Sequence, residues 1–321
     1  LHKYYNLKDQ SDALMKLNTD RKTKSFLVIK NDSIIFEKYY DGYTEKSISN
    51  SFSVAKSIVT SMMFKAIMEG KINGLDQPVS DFFPKYKEGF AAELTVGNLA
   101  SMSSGMEWKE KYYNPVNITS ESYFTDDLRA VILGQDIVEK PGQRFRYSSG
   151  DTQLLGMIIE KATGMTLTEY LTEKFWVPMG AEYNAKWQID SKESGMEKAY
   201  CCIAGTARDF ARFGKLYIQD GKWGGEEVLD SSYVELSLKA VFDSNPHYGY
   251  GWWLYKYEDK NLSDTQKITK KIAIFDFENN LKELQQFPYL DYPLNQIGGI
   301  HLNTIEFMSD MHPVRTKSEA E

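Results

Sequence analysis

The sequence predicts an α+β fold, with a sheet domain flanked by helices and interrupted by a mostly helical insertion. Two observations carry this reading. Runs of β-branched and aromatic residues stand towards both ends of the chain, and the middle is dominated by helical periodicity and long aromatic loops. The expected division is 1–72 and 200–321 for the sheet domain and 73–199 for the helical domain, with an active site between them.

Each element follows from a local pattern. Residues 25–40 (SFLVIKNDSIIFEKYY) form two strand-like runs about Asn31-Asp32, a hairpin signature. After a polar loop, Val54, Ile58, Met62, Ala66 and Ile67 recur at helical spacing, and Gly70 supplies a stop. Further helices are expected over Leu128 to Leu133 and over Gln153 to Ala162, the latter ending at Gly164. Thr206 to Gln219 carries an apolar side of Ala207, Phe210, Ala211, Phe213, Leu216 and Tyr217, with Gly221 ending it. Tyr248 to Leu254 reads as the start of a buried strand, and the alternating stretches 272–277 (IAIFDF) and 304–307 (TIEF) are candidates for the last strands.

Composition removes several function classes. The 321 residues are 42% hydrophobic with a formal net charge of −7, enough for one large or two medium domains. Charges of both signs are interspersed, so neither a nucleic-acid-binding arm nor a polybasic membrane patch is present. No run reaches the length of a transmembrane helix. The two cysteines, Cys201 and Cys202, are adjacent; neighbouring cysteines rarely bridge, so buried thiols are expected. The chain opens on Leu1, so the absence of an export signal carries no information.

Chemistry enters at Ser53-Val54-Ala55-Lys56, the start of the first long helix. A serine hydroxyl is a poor nucleophile until a neighbour takes its proton. Residues three apart share a helix face, so Lys56 reaches back to the Ser53 oxygen. In the first turn, unpaired N–H groups and the positive end of the helix dipole stabilise a developing oxyanion. The same dipole, with burial, pushes Lys56 towards its neutral, proton-accepting form. Taken alone the pair is a common pattern, equally at home on an ordinary amphipathic helix. A Ser-His-Asp hydrolase is disfavoured, because there is no G-x-S-x-G elbow and His2, His247, His301 and His312 lack matching context. The chain has no H-E-x-x-H motif or P-loop, so no metal and no cofactor are expected.

Further segments fall in a meaningful order. They are residues 94–106 (LTVGNLASMSSGM), 141–156 (PGQRFRYSSGDTQLLG), 204–214 (AGTARDFARFG) and 248–253 (YGYGWW), following 51–57 (SFSVAKS). In order and separation the chain resembles the serine hydrolases of the class C β-lactamase, DD-peptidase and esterase superfamily. It is closest in pattern to the branch of aminohexanoate-oligomer hydrolases and carboxylesterases. The resemblance covers roughly residues 25–254 and implies a β-lactamase/transpeptidase-like fold with an antiparallel sheet.

That resemblance also implies roles. Ser53 is the nucleophile of an acyl-enzyme, and Lys56 and Tyr147 relay the proton, with Lys56 as the cation that holds the phenol in ionised form. Ser149 stands where the family more often has asparagine and is a substrate-binding candidate; its hydroxyl can still bond Lys56 but cannot offer both an amide donor and an acceptor. Trp108, Tyr112 and Tyr113 fall on the substrate-facing loop, and Asp151 reads as a helix N-cap. Gly298 and Gly299, in Gly298-Gly299-Ile300-His301, are the nearest candidates by position for the third motif, which lends an N–H to the oxyanion hole. Lys161-Ala162-Thr163-Gly164 is a decoy that terminates a helix. The implied substrate is a small ester, amide or peptide, and family habit favours a periplasmic or extracytoplasmic location. The rival reading is a degenerate protein that binds penicillin or peptidoglycan without turnover; a true β-lactamase or DD-peptidase is the other alternative.

Overall fold

The computed structural model describes residues 1–30, 32–112, 116–254 and 311–316. Helix α1 (Asp12–Asp20) precedes an antiparallel hairpin of β1 (Ser25–Lys30) and β2 (Ser33–Tyr39), with Ser25 opposite Tyr39 and Lys30 opposite Ser33. Asp32 sits in the connecting turn at φ +62°, a conformation its short polar side chain tolerates. A second sheet has the strand order β3 (Ile48–Asn50), β5 (Ile203–Thr206), β4 (Ala185–Gln188), β8 (Met311–Val314), antiparallel at every pairing. Strand β4 comes from within residues 73–199, so the stretch expected to be helical contributes a strand to the sheet.

Between β3 and β4 the chain forms α2 (Val54–Met68), α3 (Val96–Ala100), α4 (Ile118–Phe124), α5 (Leu128–Gly134), α6 (Ser149–Thr163) and α7 (Leu167–Leu171). Helix α8 (Ala207–Ile218) follows β5, then the short hairpin β6 (Lys222–Trp223) and β7 (Glu226–Glu227), then α9 (Ser231–Ser237).

Helix α2 is the centre of the molecule. Ala55, Ile58, Val59, Met62, Met63, Phe64 and Ala66 are all sealed from solvent, and with the buried Lys56, Thr60 and Ser61 they leave almost no side of the helix exposed. A helix apolar all round belongs in the interior, not on a surface. Its polar residues are satisfied inside, as at Ser61, whose hydroxyl meets the Ser57 carbonyl and the Tyr217 hydroxyl. Helix α6 packs against it, burying Leu154, Leu155, Met157, Ile158 and Ile159. Gly164, left-handed at φ +73°, ends α6 as its C-cap, so Lys161 to Gly164 is a helix terminus. On α8, Thr206 caps the first turn and Phe210, Phe213, Leu216 and Tyr217 form the buried face.

Two expectations are corrected by the fold. Residues 248–254 are not a strand. The chain folds back on itself, pairing Tyr248 with Trp253, and docks on α2 through Ser57 Oγ, which donates to the Gly251 carbonyl at 2.6 Å. Gly251 is at φ +74°, and a Cβ there would sit 2.3 Å from Thr60 Oγ1, so only glycine fits so close to the helix. Cys201 and Cys202 are not thiols but a disulfide between neighbours, in a loop where Cys202 adopts φ +75°. The candidate strands at 272–277 and 304–307 lie outside the described residues.

Helix α6 approaches the loop before β5 so closely that a Cβ on Gly156 would lie 2.6 Å from Ala199 Cβ. Gly156→Ala is therefore expected to destabilise the protein by about 1–3 kcal/mol despite its better helix propensity. A fall in Tm of several degrees in a thermal melt checks this; an unchanged or higher Tm would show that the loop yields freely.

Candidate active site

Strand β3 delivers the candidate nucleophile through a strained turn. The Ser51 N–H donates to the Ile203 carbonyl at 2.7 Å, fixing the strand end, and the Phe52 N–H donates to Asn50 Oδ1 at 2.8 Å. Phe52 itself is at φ +44°, in the left-handed region where a bulky side chain is strained. Ser53 follows as the N-cap of α2, yet its side chain makes no capping bond. Its hydroxyl is left to meet other side chains, and among the described residues no acceptor takes its N–H.

Lys56 lies one turn along and is 2% exposed. Its Nζ donates to Ser53 Oγ at 3.1 Å and to the Tyr200 carbonyl at 2.8 Å. It also stands 5.0 Å from the centre of the Tyr147 ring and 5.7 Å from that of Tyr200. Burial pulls the amine down to about 8, partly offset by the negative charge of Glu110. Tyr147, in the loop entering α6, lies over the Lys56 amine, with Ser53 and Trp253 as neighbours of its hydroxyl. Ring contacts with Tyr248 at 6.1 Å and Trp253 at 5.5 Å hold it there. The three residues predicted to act together are thus brought together.

Burial governs the protonation of both groups, lowering Lys56 as expected and acting against an ionised Tyr147. Burial raises the Tyr147 phenol well above its ordinary range, and the polar neighbours Ser53 and Trp253 only partly oppose this. The phenol keeps its proton, and the buried amine is the group closest to neutrality at physiological pH. Burial thus works against the phenolate that the resemblance implies, and it draws the Lys56 amine down from its ordinary range while leaving it largely charged at neutral pH.

Other expected site residues are placed differently. Ser149 does not bond Lys56; its hydroxyl donates to Glu110 Oε1 at 2.6 Å and its N–H to Glu110 Oε2 at 2.9 Å. Trp108 is 1% exposed, with its ring packed where a Cβ on Gly150 would touch it, so it backs the site and does not present itself to solvent. Tyr112 is 41% exposed and remains available at the surface of the loop. Asp151 is not the N-cap of α6, because the helix starts earlier and Ser148 Oγ takes that role by accepting the Asp151 N–H. The Asp151 carboxylate instead accepts from the Ser104 hydroxyl at 2.6 Å. Gly298, Gly299 and Tyr113 lie outside the described residues. Glu110 was not singled out from the sequence; its signal is an acidic residue alternating with two aromatics, Trp108-x-Glu110-x-Tyr112.

The family described as Beta-lactamase matches residues 12–271, past the Tyr255 at which motif-level resemblance stops. The 6-aminohexanoate-dimer hydrolase of Paenarthrobacter ureafaciens is 25% identical over 263 residues, covering 75% of this chain and 66% of that protein. Protein flp of Staphylococcus aureus (strain N315) is 27% identical over 185 residues, 52% of this chain and 35% of its own length. The chain thus spans about two thirds and about one third of these curated relatives. Among solved structures, a Bacillus anthracis protein assigned to the 6-aminohexanoate-dimer hydrolases superposes with a TM-score of 0.66 at 25% identity. That superposition covers 75% of this chain and 67% of the other.

Asp151 gives a test of the site's electrostatics. Burial raises its carboxyl to about 7, so between pH 4 and 7 the folded state binds more protons than the unfolded one. Stability conferred by that proton is complete at low pH and is lost as pH rises through 7. Asp151→Asn, neutral throughout, is expected to flatten this part of the stability-against-pH curve in urea titrations. A variant curve parallel to wild type across that range would contradict the assignment.

Proposed function

The chain belongs to the Beta-lactamase family, and from that premise we propose that it is a serine hydrolase of ester or amide bonds working through an acyl-enzyme on Ser53. The observation that carries this reading is the buried Lys56 amine 3.1 Å from Ser53 Oγ, pulled to about 8 by desolvation. Neutral Lys56 takes the Ser53 proton as Oγ attacks the substrate carbonyl carbon. The tetrahedral oxyanion is held by the Ser53 N–H at the start of α2, where the helix dipole adds to the stabilisation. A second donor falls to the C-terminal segment, with Gly298 and Gly299 as candidates by position.

Collapse of that intermediate breaks the bond to the leaving group. Tyr147, a protonated phenol, donates to the departing amine or alkoxide and regains its proton from the Lys56 ammonium. Water then attacks the acyl-enzyme, giving up its proton along the same path, and Ser53 is regenerated with release of the acid. The site lies between the sheet domain (1–72 and 200–321) and the helical domain (73–199), since Ser53 follows β3 and Tyr147 precedes α6. Tyr112 and Trp253, both partly exposed, are the wall offered to substrate. Small linear amides and esters are the proposed substrates, in keeping with the relative that hydrolyses a 6-aminohexanoate dimer.

Ser53→Ala is expected to lose at least about 10³-fold in kcat/KM on nitrophenyl esters while retaining its melting temperature. In the wild type, a fluorophosphonate adduct should map to Ser53 by mass spectrometry. Because only neutral Lys56 accepts the proton, kcat/KM should rise with pH along a limb centred near 8. A fluorescent penicillin adduct on Ser53 that never hydrolyses would favour the binding-protein reading, and retained esterase activity in Ser53→Ala would end the assignment.

A further inference from the structure

Glu110 is a carboxylate held out of water beside the proposed reacting groups. It is 7% exposed, on the loop between α3 and α4. Its Oε1 accepts from the Tyr112 hydroxyl at 2.7 Å and the Ser149 hydroxyl at 2.6 Å. Its Oε2 accepts from Trp108 Nε1 at 2.6 Å and the Ser149 N–H at 2.9 Å. Four donors on two oxygens match what an acceptor-only group needs in order to stay buried. Two of the donors are aromatic residues of its own loop and two belong to the first residue of α6. The carboxylate therefore ties the aromatic loop to the helix that Tyr147 leads into.

The same charge acts on the proton path. Among the described residues Glu110 forms no salt bridge with lysine or arginine, and its field is felt at Lys56, Tyr147, Tyr200 and Asp151. Among the described residues, Tyr147 and Tyr200 stand against the Lys56 amine and Glu110 is the charge acting on it, with Asp151 and Tyr248 one step further out. Burial raises the three tyrosines and keeps them neutral, and it also drives Asp151 towards its protonated form. Glu110 is thus the negative charge that favours the ammonium form of Lys56.

We propose that Glu110 is a positioning residue for the reaction, docking the aromatic loop onto the first turn of α6 and setting how readily Lys56 accepts a proton. This deepens the assignment of Ser53 and Lys56 made above and rests on it. A purely structural clamp would alter the rate without moving its pH dependence, whereas a charge beside the base must move both.

The test is the second-order rate of fluorophosphonate labelling of Ser53 as a function of pH, which needs no knowledge of the substrate. In Glu110→Gln, which keeps size and one acceptor oxygen, the rising limb should move to lower pH by roughly one unit. In Ser149→Ala, which removes one donor and leaves the charge, the limb should stay in place and the plateau rate should fall roughly tenfold, about the worth of one hydrogen bond to a charged group. A folded Glu110→Gln whose limb coincides with wild type overturns the electrostatic role, and a Ser149→Ala plateau equal to wild type overturns the docking role. Should Glu110→Gln not fold, Ser149→Ala alone decides the docking. Wild-type protein that fails to label at Ser53 would refute the underlying assignment, a result distinguishable because it precedes any variant.

Discussion

Everything near the site follows from keeping the Lys56 amine away from water while leaving it two acceptors. An isolated ammonium in an apolar interior is too costly to persist, so it must find partners or give up its proton. The chain supplies Ser53 Oγ from the same helix and the Tyr200 carbonyl from 144 residues downstream. Both partners demand structure elsewhere. The first requires a helix start at Ser53, reached through the strained Phe52; the second requires the loop before β5 to lie against α2 and α6. The close contact of Gly156 with Ala199 is the packing that makes this second approach possible.

The central position of α2 is the other half of the same constraint. A surface helix would leave Lys56 solvated and close to its ordinary range, as a lysine on an amphipathic face is. Because α2 leaves almost no side exposed, it is housed with α6, α8 and the folded-back 248–254 segment around it, and this housing desolvates the amine. The residues that make the core are in this sense the residues that desolvate the Lys56 amine. Loss of an apolar side chain such as Ile58 would loosen the wall of the site as well as the fold.

Much of this was legible in the sequence, and the failures have identifiable causes. The hairpin, α5, α6, α8 and the Ser53 helix were read from periodicity and glycine stops, which are local signals. Ser53, Lys56 and Tyr147 were found through ordered motifs, and their meeting is a matter of three segments that each carry a signature. Residues 248–254 were misread because alternation of aromatic and glycine imitates a strand, while the fold uses those glycines for contact with α2. Trp108 and Ser149 were assigned outward roles because side-chain direction in a loop is set by what it folds against. Asp151 was misplaced as a cap because helix onset shifts by a few residues, and Ser148 is an equally good capping residue. Glu110 escaped notice for the opposite reason: a lone acidic residue in a loop is ordinarily solvated.

Two carboxylates close to one another in this apolar setting reach different solutions, and the difference is informative. The Asp151 carboxylate accepts from the hydroxyl and the N–H of Ser104, and burial drives it towards taking up a proton, so it can serve the fold without bringing charge to the site. Glu110 accepts four hydrogen bonds, enough to replace much of the hydration a carboxylate loses on burial. The negative charge of Glu110 adds to burial in driving Asp151 towards its protonated form. Desolvation pulling the Lys56 amine down and the Glu110 charge pulling it up act against each other, which leaves the amine near 8. The proposed relay, which takes up and gives back a proton in each half of the reaction, calls for such a balance.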